Sequence, residues 1–72
     1  MAPMSDVLKT IATNVRNERV KHGLTQEKLA EKAGLHTNYI GIIERQRRNV
    51  TVLALEKIAK ALNVSVIDLL RK

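Results

Sequence analysis

The sequence has no cysteine, no tryptophan and no phenylalanine, and only one tyrosine, one proline and three glycines. Without cysteine there is no disulfide framework, and His22 and His36 alone cannot make a structural zinc site. No metal and no cofactor are therefore expected. Tyr39 is the only aromatic side chain, so the stacking platforms that RNA-recognition motifs and single-strand binders use are missing. No apolar run approaches the roughly eighteen residues a membrane span needs. The stretch Met1 to Asp6 lacks a basic region followed by an apolar segment, so it does not read as an export signal. The expectation is a cytoplasmic protein with no membrane association and no small-molecule ligand. An enzyme finds no support either: no nucleophile, base and orienter can be assembled, and no glycine-rich phosphate loop exists.

Positive charge, by contrast, is plentiful. Thirteen Lys and Arg against seven Asp and Glu leave a net charge of +6 on 72 residues. Long-range attraction and counterion release both direct such a surface towards polyanions. The poverty in aromatics favours duplex DNA among them. Residues 1–72 make one domain, near the lower size limit at which an apolar core holds a fold unaided, so help from a second subunit is plausible on size alone.

Apolar residues recur at spacings of three and four rather than two, which predicts an all-α chain of five helices. The first starts after Ser5 as N-cap, carries Leu8, Ile11, Ala12 and Val15 on one stripe, and is closed by Gly23. The second is capped by Thr25 and spans about 26–33, through Leu29, Ala30 and Ala33 to Gly34. The third, about 37–45, starts near His36 or Thr37 and buries Ile40 and Ile43, with a basic loop from Gln46 to Val50 behind it. The fourth follows Thr51 and is expected to bury Val52, Leu55, Ile58, Ala59 and Leu62. The fifth is one or two turns long, with Ser65 and Asp68 at capping-box spacing, and contributes Val66, Leu69 and Leu70.

Gly34-Leu35-His36 is the informative junction. Glycine supplies the left-handed conformation that a tight helix-to-helix turn requires, and Leu35 plugs the angle beneath it. The run from Gly23 to Glu44, with Thr25-Gln26-Glu27-Lys28-Leu29-Ala30 and Gly34-Leu35-His36-Thr37-Asn38-Tyr39-Ile40 at its centre, closely resembles the DNA-binding domains of the phage repressor and Cro family. The resemblance continues through Lys57-Ile58-Ala59-Lys60-Ala61-Leu62 to Leu70. It implies a five-helix lambda-repressor-like fold with a helix-turn-helix. Within that family, the loop Glu44-Arg45-Gln46-Arg47-Arg48-Asn49-Val50-Thr51 is most similar to the small controller proteins of restriction-modification systems.

What the resemblance implies is a third helix laid across the major groove, with the N-termini of the second and third helices directed at flanking phosphates. Thr37, Asn38 and Arg45 correspond to base readers: Asn pairs with adenine, Thr offers a hydroxyl or methyl to thymine, and Arg favours guanine O6 and N7. Ile42, outward by spacing, either touches a thymine methyl or packs against the next loop. Gln26 resembles the family glutamine that bonds a phosphate and braces a base-reading side chain; otherwise it is a polar helix-start residue. Thr25, His36 and Tyr39 are candidate phosphate contacts, with Tyr39 also a lid over the third helix. Arg47, Arg48 and Asn49 add a basic loop: with Arg45 they place three arginines in four residues beside the reading helix. Arg19 and Glu44 match a family pair that forms an internal salt bridge, which keeps Glu44 off the DNA-contact surface. Glu18 is left with a surface ion pair.

A single helix reads only a few base pairs, so a two-fold homodimer on a palindromic operator is expected, its reading helices about 34 Å apart. Leu53, Ile67 and Leu70 are apolar where outward positions are expected and form a candidate isologous interface. Glu27 and Glu31 share one face of the second helix; in some family members acids there touch RNA polymerase, although a solvated face balanced by Lys28 and Lys32 accounts for them somewhat better. The function this leaves is a sequence-specific transcriptional regulator that controls its own promoter. An antitoxin-type regulator, which binds another protein as well as DNA, fits the same residues. A nonspecific nucleoid protein does not explain the placement of Thr37, Asn38 and Arg45.

Overall fold

Four described residues, Gly23, Gly34, Gln46 and Asn63, adopt the left-handed conformation and shape the chain trace. A computed structural model describes residues 4–46 and 50–72. It contains five helices in order, α1 (Met4–Lys21), α2 (Gln26–Ala33), α3 (Tyr39–Glu44), α4 (Val52–Ala61) and α5 (Val66–Leu70), and no strand among the described residues. After α1, α2 and α4 the chain turns at Gly23 (φ 68°), Gly34 (φ 70°) and Asn63 (φ 58°). At each of the three turns, two reverse hydrogen bonds satisfy the last carbonyls of the helix. At Gly34, for example, Gly34 N–H donates to Glu31 and Leu35 N–H to Ala30. The positive φ between α2 and α3 is the requirement that makes glycine the fitting residue at 34.

Side-chain caps open three of the helices. Thr25 Oγ1 accepts the Lys28 N–H at 3.0 Å, and Thr51 Oγ1 accepts that of Ala54 at 3.0 Å. Ser65 and Asp68 form a reciprocal capping box. Bonding to the Ser65 backbone, then to its hydroxyl, holds the Asp68 carboxyl below the usual aspartate range. At its far end α5 is held by Asn14 on α1, whose side-chain amide donates to the carbonyls of Leu69 and Arg71 at 2.9 and 2.6 Å. A five-residue helix cannot sustain itself, so these attachments and the buried Leu69 are what fix it.

The core lies where the five helices converge, with Val15, Leu29, Ile40, Ile58, Leu62 and Leu69 fully enclosed. Each such side chain contributes about 1.5–3 kcal/mol over leaving it exposed. Several expectations are corrected. Helix α1 begins at Met4, so Ser5 lies inside it and is not its N-cap. Val52 is not core but 79% exposed, and Ala54 is buried in its place. At 100° per residue Val52 lies roughly 80° off the centre of the stripe through Leu55, Ile58 and Leu62, on the solvent side of a turn whose Ala54 and Leu55 face inward. Leu70 is 45% exposed, in keeping with the outward position expected of it, and Leu69 takes the inward one. Helix α3 is shorter than expected, since residues 37–38 form a turn: Tyr39 N–H bonds back to the His36 carbonyl at 2.9 Å.

One ion pair joins the first and third helices. Arg19 Nε donates to Glu44 Oε2 at 2.7 Å and its Nη2 to Oε1 at 3.0 Å, with side chains only 14% and 6% exposed. Arg19 Nη1 also donates to the Leu24 carbonyl at 2.8 Å. Hydrogen bonding to Glu44 raises the arginine's pKa above its ordinary value. Removing one partner strands the other charge in a largely dry site. Glu44→Ala is therefore expected to cost about 3 kcal/mol in stability, read by urea unfolding monitored by circular dichroism.

Candidate nucleic-acid interface

The turn into α3 and the outer side of that helix carry the polar residues that the core leaves out. His36, Thr37 and Asn38 are all exposed, and Arg45 is exposed at the other end of α3. His36 Nδ1 lies 3.2 Å from the Asn38 N–H and accepts from it, which holds the turn in a local bond. The residue preceding the first helical position is thus Asn38, not His36, and its side chain makes no cap hydrogen bond. The reason is conformational: capping requires an extended backbone, whereas Asn38 is already right-handed at φ −84° and ψ −8°. Its amide donors and acceptor are left for an external partner.

Gln26 opens α2 and reaches across to α3. Its amide nitrogen donates to Glu44 Oε1 at 3.0 Å, so the chain Arg19, Glu44, Gln26 runs from the interior of the domain to the margin of the reading surface. Thr25 and Thr37 face a common open hollow of about 430 Å³ between the start of α2 and the turn before α3. Lys28, exposed on the same rim, was not singled out from the sequence. Tyr39 is half-buried and packed against the core, and Ile42 is half-buried on the flank of α3. Arg47, Arg48 and Asn49 lie outside the described residues.

Glu27 and Glu31 are exposed on α2 and line the same hollow, where Glu31 sits 3.6 Å from Lys28. Glu18 pairs with Lys21 at 3.3 Å. Leu53 and Ile67 are 61% and 63% exposed, and Val52, Val20 and Val7 add apolar surface that the periodicity did not isolate. No group of three or more His, Cys, Asp or Glu side chains among the described residues is placed to hold a metal, and no helix among them is long and apolar enough to cross a membrane.

Two further residues were missed. Asn14 is one, a surface polar residue by pattern whose amide bonds lie more than fifty positions away in sequence. Gly41 is the other. It is buried in the middle of α3, and a glycine inside a helix is the one sequence signal that marks a close approach there.

Residues 15–69 match the helix-turn-helix family HTH_3. The control protein C.SmaI of Serratia marcescens is 51% identical over 67 residues, which cover 93% of this chain and 80% of that protein. The restriction-modification controller protein C.AhdI of Aeromonas hydrophila superposes with a TM-score of 0.82 at 37% identity, covering 86% of this chain and 94% of that one. The biofilm regulator SinR, solved in complex with DNA, superposes with a TM-score of 0.80 at 37% identity, covering 85% and 98%. With α2, the Gly34 turn and α3 in the arrangement described above, the chain belongs to the HTH_3 helix-turn-helix family of DNA-binding transcriptional regulators.

Proposed function

We propose that this regulator binds a palindromic operator as a homodimer, reads it with Thr37, Asn38 and Arg45, and acts as a controller of its own promoter. The observation that carries the reading is the uncommitted side chain of Asn38, exposed at the head of α3 and barred by its backbone from capping the helix. A free carboxamide there suits the bidentate pairing of asparagine with adenine in the major groove. Gln26 braces this edge, and Ile42 offers an apolar flank for a thymine methyl. Thr25 at the start of α2, with His36, Tyr39 and the loop residues Arg47, Arg48 and Asn49, supplies phosphate contacts that fix register. The net charge of +6 supports their strength.

Dimerisation uses the exposed apolar residues Leu53, Ile67 and Leu70, and the small core makes a subunit partner energetically useful. Glu27 and Glu31, exposed on α2, are the residues available to touch RNA polymerase. The names borne by C.SmaI and C.AhdI support the controller role, in the cytoplasm and alongside a restriction-modification system.

Binding selection on random duplexes tests the assignment of readers. Asn38→Ala is expected to relax preference at one position by about 1–3 kcal/mol, while Arg48→Ala weakens all sequences and reduces the salt slope by about one. Equal effects of both variants on every sequence would contradict it. For the interface, Ile67→Asp is expected to sediment as a monomer where the parent chain is a dimer; an unchanged oligomer would take α5 out of the contact.

A further inference from the structure

A glycine in the third position of α3 gives up helix propensity that alanine would supply, and the space around it accounts for the choice. A Cβ at Gly41 would stand 2.9 Å from Gln26 Oε1 and 3.2 Å from Arg45 Nη1, with Gln26 Cδ next at 3.6 Å. The two polar ends therefore flank one point on the surface of α3. The orientation of the Gln26 amide is fixed as well: the Glu44 carboxylate, already accepting from Arg19, can only accept, so Gln26 turns its nitrogen to Glu44 and its oxygen over Gly41. That oxygen has no hydrogen-bond donor among the described residues, and no buried side-chain oxygen or nitrogen among them lacks a partner, so it opens to solvent.

An acceptor and a guanidinium thus stand side by side on the face of the reading helix. In the major groove that combination matches a G·C pair, whose guanine O6 and N7 accept from arginine while the cytosine N4 amino group donates to an acceptor. We infer that Gly41 is a specificity-determining residue: its missing side chain is what lets Gln26 Oε1 and Arg45 address a single G·C pair together. The inference rests on the DNA-reading role of α3 and adds to it a second reading position, separate from that of Asn38. Gly41 touches no base in this account. It acts by leaving room, and the atoms its substitution displaces are the ends of two flexible side chains.

The test is binding selection on random duplex DNA with the full chain and its Gly41→Ala, Gln26→Ala and Arg45→Ala variants, alongside thermal unfolding of each. The parent chain should select a G·C pair at the position that Arg45→Ala relaxes. Gly41→Ala should lose that preference by on the order of tenfold, keep the preference that depends on Asn38, and melt at or above the parent temperature, since alanine favours the helix. In a chain already carrying Gln26→Ala and Arg45→Ala, adding Gly41→Ala should change selectivity no further. Gly41→Ala selecting as the parent does would overturn the inference while leaving the DNA-reading role intact. So would melting well below the parent, which would mean that the added carbon displaces backbone. A parent chain that selects no duplex at all would remove the reading role, and this inference with it.

Discussion

The Arg19–Glu44 pair is the constraint on which the presentation of α3 depends. A six-residue helix has too few internal hydrogen bonds to persist alone, and its apolar anchors, Ile40 and Ile43, fix depth better than rotation. The bidentate pair supplies rotation, because a guanidinium and a carboxylate meet in one plane. Gln26 extends the same lock to α2 through the second lone pairs of Glu44 Oε1. Helices α2 and α3 are thereby held by polar geometry as well as by the Gly34 turn, and the exposed residues 36–38 are carried on a framework that does not need DNA to set it.

Polar groups divide into two populations. Those that hold the fold are paired: Arg19 and Glu44, the caps at Thr25, Thr51 and Ser65, and Asn14 on the carbonyls that end α5. Around α3 some outward groups keep free hydrogen-bonding capacity, the Asn38 side chain above all, while His36 holds its own turn. An asparagine beside a helix start ordinarily lowers the energy of that helix by capping it, and at Asn38 the backbone has already turned helical, so that stabilisation is forgone. The arrangement is what a reading surface requires, since a side chain already bonded within the protein has less to offer a base.

Much of this was legible in the sequence. Gly23, Gly34, Thr25, Thr51 and the Ser65/Asp68 box punctuate the chain so densely that helix order and the α2 boundaries followed from local chemistry. Three kinds of feature were not legible. Val52 stands at one edge of the stripe on its helix and Ala54 at the other, and spacing does not encode which edge the neighbouring helices cover. The start of α3 was misplaced because His36 bonds the Asn38 N–H and holds residues 36–38 in a turn, which helical spacing does not distinguish from a first helical turn. Asn14 and Gly41 matter through contacts with residues distant in sequence or on another helix, and nothing at their own positions names those partners.

A double-mutant cycle on Arg19 and Glu44, using Arg19→Met, Glu44→Leu and the combination, measures the central interaction most directly by urea unfolding. A partly buried pair that locks α3 predicts non-additive changes: each single variant loses stability by leaving a charge behind, and the double variant recovers much of that loss, with a coupling of about 2 kcal/mol. Additive losses within about 0.5 kcal/mol would mean that the two side chains act independently, and α3 would then owe its placement to apolar packing alone.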